Sequence, residues 1–368
     1  MKFLSDMTKK LDIVIGLSGG VDSSVAAWLL QQQGHKVRAV FMKNWDSDGE
    51  DDDCGSKEDF LSAATAADIL NIPLEFVSFS KQYKDMVFKD FVNEYSVGRT
   101  PNPDVFCNSE IKFKAFLEHA KNSGADYLAT GHYACSELKD CQYNLLTASD
   151  KKKDQTYFLY RLNQKQLAHS MFPIGGLTKY AVRKIATQIN LPNAQRSDSM
   201  GICFIGKKQF SKFISKFIDQ KPGRICTENG ECIGEHNGLH FYTIGQRKGI
   251  GIGGIKVASS GNTGLPWFVA EKKVDENTLV VVQGSDHPML YKDVIEAKSL
   301  HWISGKAPRV GSHIKIKIRH SQSMEDAVID SCNDLLKVKV SRPLWGVAPG
   351  QSIVCYAGKL CLGGGIIS

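Results

Sequence analysis

Along the first two hundred positions, short apolar runs alternate with longer stretches in which apolar residues recur every three or four places. Residues 12–17 (DIVIGL) form a β-branched run of strand length that ends at Ser18-Gly19-Gly20. Residues 21–33 then set Val25, Trp28, Leu29 and Leu30 at helical spacing, with Asp22 and Ser23 near the start and Gly34 just past the end, which are helix start and stop signals. The alternation continues, predicting strands at 36–42, 74–79 and 127–131 and helices at 58–71, 109–122 and 178–190. Strands separated by helices predict an α/β fold with a doubly wound, Rossmann-like parallel sheet. Ligands of such sheets bind at the carboxyl ends of the strands, so the loops after Leu17, Met42 and Ala129 are expected to share a pocket.

Beyond about Ile205 the pattern changes. A basic helical segment, 207–217, leads to Pro222-Gly223 and then to short strands punctuated by glycine, predicted at 269–283, 311–319, 327–331, 335–341, 352–356 and 359–363. These read as antiparallel hairpins. The expected architecture is an N-terminal α/β domain (1–206), a small, mostly β central domain (207–288) and a C-terminal β-barrel (289–368).

Composition sharpens this picture in three ways. With 368 residues and 42% hydrophobic positions, the chain can bury a sizeable core, which excludes collagen-like, disordered and disulfide-dense classes. No apolar run approaches the roughly 18 residues of a membrane span, and the first ten residues carry no secretory pattern, so no membrane role and a cytoplasmic location with reduced thiols are expected. The net charge of +7 is uneven: residues 206–368 hold 22 basic against 14 acidic residues, a local +8, while residues 1–205 are close to neutral. A surplus of this kind suits a polyanion such as nucleic acid, although an ordinary solubilising surface gives the same count. The acidic run 46–53 (DSDGEDDD) reads as a solvated loop.

The strongest local chemistry is Ser18-Gly19-Gly20-Val21-Asp22-Ser23-Ser24, between the first strand and the first helix. Glycines let backbone N–H groups face an anion, the helix start adds positive potential and the serines add donors, which together make a phosphate cradle. This segment is neither a GxxxxGK[ST] loop nor a GxGxxG loop. The segment resembles the SGGxDS loop of the PP-loop family, the N-type ATP pyrophosphatases with an adenine nucleotide α-hydrolase-like fold. That resemblance implies ATP, with Mg2+ beside its pyrophosphate, bound by Gly16, Leu17, Ser18, Gly19, Gly20, Val21, Asp22 and Ser23, by Met42 and by Gly131. Asp22 is the suspected magnesium ligand.

Six further blocks narrow the resemblance: GRTPNPDVFCN (98–108), TGHY (130–133), KDQTYFL (153–159), DSMGICFIG (198–206), TIGQRKG (243–249) and PGQS (349–352). In order and density they resemble the bacterial tRNA-specific 2-thiouridylase family. The family's chemistry implies that ATP adenylates the C2 oxygen of the wobble uridine in Lys, Glu and Gln tRNAs, after which sulfur replaces it. Cys203 would carry the sulfur as a persulfide. Cys107 would be the nucleophile or resolving thiol that ends in a disulfide with it, and Asp104 an acid or base. Asn102, Pro103 and Asp104 would form a turn against the target base. His132, Lys153, Asp154, Gln155, Arg319, His320 and Gln351 would contact tRNA, although the family more often has an aromatic residue where this chain has His320. The implied sulfur source is a persulfide-carrying relay protein fed by a cysteine desulfurase. The other eight cysteines read as small buried hydrophobes. No CxxC occurs, which leaves zinc or iron–sulfur binding, and with it 2-thiocytidine formation, unsupported. No glutaminase-like module accompanies the loop, which disfavours amidation. The glycine-rich 249–254 (GIGIGG) lacks a following helix and reads as a turn or RNA-facing loop.

Overall fold

The computed structural model describes residues 10–46, 54–197, 210–252 and 264–368. Its first part contains β1 (Asp12–Gly16), β2 (Lys36–Lys43), β3 (Leu74–Ser78), β4 (Tyr127–Ala129), the hairpin β5 (Ala134–Lys139) and β6 (Gln142–Thr147), and the short β7 (Ser170–Met171). Five of these form a parallel sheet in the order β3-β2-β1-β4-β7. Successive side chains of a strand point to opposite faces, so Ile13 and Ile15 fill one core layer and Val14 the other. Burial on both faces is why β1 reads as an uninterrupted apolar run. On the Ile13 side lie α1 (Val21–Gln32) and α2 (Cys54–Leu70); on the Val14 side lie α3 (residues 80–96) and α4 (103–122). Further helical pieces are α5 (Thr156–Leu159), α6 (Gln164–Ala168), α7 (Lys179–Gln188) and α8 (Phe210–Ile214). The strand order reverses between β1 and β4, which makes their carboxyl ends the natural binding crevice.

Two elements depart from the sequence reading. Helix α4 starts six residues earlier than the predicted 109, because the Asn102 side chain accepts from the Asp104 N–H at 3.2 Å and Pro103 occupies the first helical position. The supposed Asn102-Pro103-Asp104 turn is therefore a helix start. The β5–β6 hairpin was not predicted at all. Its turn residues Asp140 and Cys141 have φ of +50° and +59°, a left-handed pair that normally advertises itself through glycine.

The remaining strands are β8 (Gly223–Thr227), β9 (Cys232–His236), β10 (Trp267–Lys273), β11 (Thr278–Gln283), β12 (Tyr291–Trp302), β13 (His313–Lys317), β14 (Glu325–Cys332), β15 (Leu336–Trp345), β16 (Ser352–Ala357) and β17 (Leu360–Ile367). The central sheet runs β10-β11-β8-β9. The glycine-rich turn anchors in its core through Ile250 and Ile252, each 4% exposed; Gly253 and Gly254 lie outside the described residues. Strands β12-β15-β14-β13-β16-β17 form a six-stranded barrel closed by β12 against β17, so the expected fold class is borne out. The β5–β6 hairpin extends this barrel sheet through β6 and β17, with Leu145 paired to Cys361. A piece of the first two hundred residues thus belongs to the C-terminal sheet. Among the described residues no helix is long and apolar enough to cross a membrane.

Candidate active site

The cradle is built where β1 passes into α1. At Gly19 (φ +77°) a Cβ would lie 2.3 Å from the Asp59 carbonyl oxygen, so the loop closes against α2 only with glycine there. The Gly19 carbonyl accepts from Ser62 Oγ (2.7 Å), Asn193 Nδ2 (3.0 Å) and Arg196 Nη1 (3.3 Å). A trans peptide points its N–H opposite to its C=O, so pinning this oxygen outward turns the Gly20 N–H into the loop. Arg196 is itself paired with Asp59. The first turn of α1 has Gly20 as its N-cap and no side-chain cap, which leaves its leading N–H groups for a ligand. Ser18 Oγ and Ser23 Oγ stand 3.3 Å apart beside them. From β4, Gly131 packs onto this turn: a Cβ there would sit 2.6 Å from the Ser23 nitrogen. The loops after β1 and β4 therefore meet as expected, and Met42, half-buried, lies at the carboxyl end of the adjoining β2.

Asp22 projects from the same turn. Its two oxygens accept from Lys179 Nζ, both at 2.8 Å, and Oδ1 also accepts from the Tyr133 hydroxyl at 2.7 Å. Among the described residues no cluster of three or more His, Cys, Asp or Glu is placed to hold a metal. Magnesium bound with nucleotides commonly takes one or two carboxylates plus phosphates and water, so a single carboxylate at a phosphate cradle fits that ion, provided Lys179 yields an oxygen.

Helix α4 connects the cradle to the second half of the site. Its Phe116 ring would touch a Cβ at Gly16 (3.1 Å), and its Phe113 ring lies 5.8 Å from the His132 ring. Cys107 sits six residues before Phe113 on the same helix and is 2% exposed. Asp104 and Cys107 are three apart and share a helix face. Burial pushes the Asp104 carboxyl above the usual carboxylate range, with Lys112 opposing, so a proton is held more readily there than on a surface aspartate. From Cys107 to Phe116 the helix widens into π-helical turns, a feature that recurs at functional sites. Cys203 and its block, 198–206, lie outside the described residues.

Most of the residues that the resemblance gave to tRNA bind other parts of the chain. His132, 9% exposed, bonds Thr130 Oγ1 at 2.8 Å, and burial with Lys112 nearby holds its pKa well below the usual histidine value. Asp154 is buried, accepting from the Ala148 N–H and the Thr156 hydroxyl, while Gln155 pairs with the Tyr133 backbone in both directions. Lys153 is half-buried. Arg319 Nη2 donates to the carbonyls of Ile244 (2.9 Å) and Gly346 (2.8 Å), and its buried Nε has no acceptor among the described residues. His320 lies over Phe158 at 4.5 Å, its Nε2 2.9 Å from the Asp154 carbonyl oxygen. Gln351 Nε2 donates to the Thr100 carbonyl at 2.8 Å.

One of these bonds, from Gln351, reaches the loop before α4. Thr100 meets Gln351 from the barrel and Thr243 from the central region, and Lys272 Nζ donates to the Gly98 carbonyl at 2.9 Å. The barrel and the central region thus both grip the segment that launches Asn102, Asp104 and Cys107. Burial pushes the Lys272 ammonium down to about 8. A lysine with a folded pKa below its unfolded value binds fewer protons when folded, so the contribution of Lys272 to stability should rise with pH between about 8 and 10.5, by about 1.4 kcal/mol per unit at most, while buried thiols pull stability down over the same range. Urea titrations of wild type and Lys272→Met across that window check this: the stability difference between the two should rise with pH by that amount.

Three family models match in succession, described as a tRNA methyl transferase HUP domain (11–207), a tRNA methyl transferase PRC-barrel domain (211–283) and an aminomethyltransferase beta-barrel domain (292–367). The tRNA-specific 2-thiouridylase MnmA of Nitrosomonas europaea is 52% identical over 363 residues, covering 97% of this chain and 98% of that protein. The MnmA of Nitrosomonas eutropha is 53% identical over 360 residues, covering 98% and 99%. The chain belongs to the tRNA-specific 2-thiouridylase family. Membership gives context to residues that the sequence reading did not single out: Tyr133 and Lys179, which hold Asp22, and Asn193 and Arg196, which orient Gly19. Tyr133 stands inside a quoted block beside Gly131 and could have been found there. Lys179, Asn193 and Arg196 carry no local signal of their own.

Proposed function

We propose that this chain adenylates the C2 oxygen of the wobble uridine of tRNA with ATP and replaces that oxygen with sulfur. The observation that carries the reading is the uncapped first turn of α1, closed by Gly19 and Gly131, joined through α4 to Asp104 and Cys107 in a member of this family. Gly16 to Ser23 and Gly131 hold the phosphates and adenine, with Met42 at the neighbouring strand end. Asp22 would hold Mg2+ together with the phosphates, and the ion would supply charge neutralisation at the pyrophosphate. Lys179 is the first residue of α7 and can exchange from Asp22 to a phosphate oxygen.

The uridine oxygen leaves poorly, and adenylation turns it into part of AMP. Asp104, with its raised pKa, holds or releases a proton next to the base. Sulfur arrives on Cys203 as a persulfide from a relay protein supplied by a cysteine desulfurase. Cys107 either attacks that persulfide or resolves the product, and in both cases a Cys107–Cys203 disulfide and AMP remain. Residues 1–206 carry the nucleotide chemistry. Residues 207–288 and 289–368, with the basic surplus, hold the RNA. The same reading keeps the Lys, Glu and Gln tRNAs as substrates and the cytoplasm as the location.

The test is nucleoside mass spectrometry of tRNA incubated with the protein, ATP, Mg2+ and a persulfide donor. The expected product is 2-thiouridine at the wobble position with one AMP per sulfur. Release of AMP and pyrophosphate with the wobble uridine unchanged and another nucleoside modified would overturn the proposal.

A further inference from the structure

A second pair of thiols lies well outside the chemistry above. On the β8–β9 hairpin, Cys226 and Cys232 are direct cross-strand partners, reached through a register shift just after Ile225. Their sulfurs stand 2.6 Å apart, against about 2.05 Å for a disulfide bond, so closing the bond needs a movement of about half an ångström. Cys226 is 6% exposed, whereas Cys232 faces solvent. Both line a cleft of about 210 Å³ whose wall also includes Arg224, Lys273 and Thr278. Among the described residues, no other two cysteines share this arrangement. Cys332, Cys355 and Cys361 are buried in the barrel, at 8%, 0% and 1% exposure, and burial pushes each thiol up.

We propose that Cys226 and Cys232 form a redox-modifiable dithiol site that closes to a disulfide by exchange with low-molecular-weight disulfides of the glutathione class. The Cys232 thiolate, the accessible one, attacks a disulfide R–S–S–R, forming a mixed disulfide Cys232–S–S–R and releasing one RS−. Cys226 then gives up its proton to solvent and attacks the Cys232 sulfur, breaking the mixed disulfide and releasing the second RS−. The protein dithiol loses two electrons and two protons, and the small disulfide gains them as two thiols. Burial and the neighbouring Cys232 push the Cys226 thiol up to about 11, which fits the second, resolving role and makes Cys232 the point of entry. Closure would tie β9, the edge strand of the central sheet, to β8. Gly234 of β9 packs so closely on Ile252 that a Cβ would lie 2.9 Å from it, so the clip would also fix the seat of the glycine-rich turn.

The experiment treats the reduced full-length protein with oxidised glutathione, blocks remaining thiols with an alkylating agent and maps linked peptides by mass spectrometry. The expected result is a Cys226–Cys232 linkage lacking two hydrogens, with no glutathione left on either residue and Cys332, Cys355 and Cys361 alkylated only after unfolding. In Cys226→Ser a stable glutathione adduct should remain on Cys232, and in Cys232→Ser neither adduct nor linkage should appear at Cys226. Full alkylation of both residues in oxidised wild type, or a lasting glutathione adduct on wild-type Cys232, would overturn the proposal. The map separates this site from any Cys107–Cys203 linkage because the two give different peptide pairs.

Discussion

Gly131→Val should abolish tRNA adenylation while leaving the barrel folded. The Cβ alone would meet the Ser23 nitrogen at 2.6 Å, the Ser23 Cα at 2.8 Å and the Asp22 carbonyl carbon at 2.9 Å. All three are backbone atoms in the first turn of α1, so no side chain can swing aside. The turn cannot retreat either, because Val21, Val25, Ala26 and Leu30 of α1 are buried in the sheet core at 3% exposure or less. The clash must therefore separate the β4 loop from the helix that carries the leading N–H groups and Asp22. Overpacking of this kind costs about 1–3 kcal/mol or somewhat more. A displacement of about 1 Å at a positioned phosphate costs about 100-fold in rate. Steady-state release of pyrophosphate in the presence of tRNA should fall by at least about that factor, with a lower urea midpoint. Gly176→Ala is the control, since nothing lies within 4 Å of a Cβ there; it should change neither measurement. Adenylation at the wild-type rate in Gly131→Val would remove the loop after β4 from the nucleotide site.

The cradle was legible because everything that makes it is local: a run buried on both faces, two glycines, and a helix whose first residues follow at once. What holds its chemistry was not. Lys179 reaches Asp22 across 157 positions and Tyr133 across 111, and no spacing within a segment can announce such a partner. The β5–β6 hairpin was hidden for a different reason: an Asp140-Cys141 turn spends left-handed backbone on residues that are not glycine, and strands half exposed to solvent show a weak alternation. The start of α4 was misread as a turn because asparagine and proline mark turns and helix starts alike; the Asp104 N–H bonded to Asn102 decides between them. Gln351 stood out inside an ordered block, and Arg319 and His320 only through the family resemblance. Their described partners are backbone carbonyls of distant segments: Gln351 fixes the α4 entrance through Thr100, while Arg319 ties Ile244 to Gly346 and His320 meets Asp154.

Cys107→Ser should stop thiolation entirely while adenylation and tRNA affinity persist. The residue is 2% exposed and serine replaces its sulfur with a smaller oxygen, so the fold should lose about 0.5–3 kcal/mol, the ordinary range of a point substitution. A serine hydroxyl cannot exchange with a persulfide or end in a disulfide, whichever role Cys107 plays. The two roles then part in what accumulates. If Cys107 attacks the persulfide and frees hydrosulfide, the variant holds an adenylated tRNA next to an intact Cys203 persulfide, and no protein–RNA bond forms. If the persulfide attacks the base directly, AMP leaves and the tRNA stays linked to Cys203 through a disulfide that Cys107 would have broken. Denaturing gels of a single-turnover reaction, run with and without reductant, separate them: a reductant-sensitive adduct marks direct attack, and its absence with AMP still bound to tRNA marks the hydrosulfide route. Both routes leave wild-type enzyme as a Cys107–Cys203 disulfide, so without added thiol it should yield one 2-thiouridine per protein and then stop. Several turnovers without reductant, or wild-type thiolation by Cys107→Ser, would take Cys107 out of the reaction.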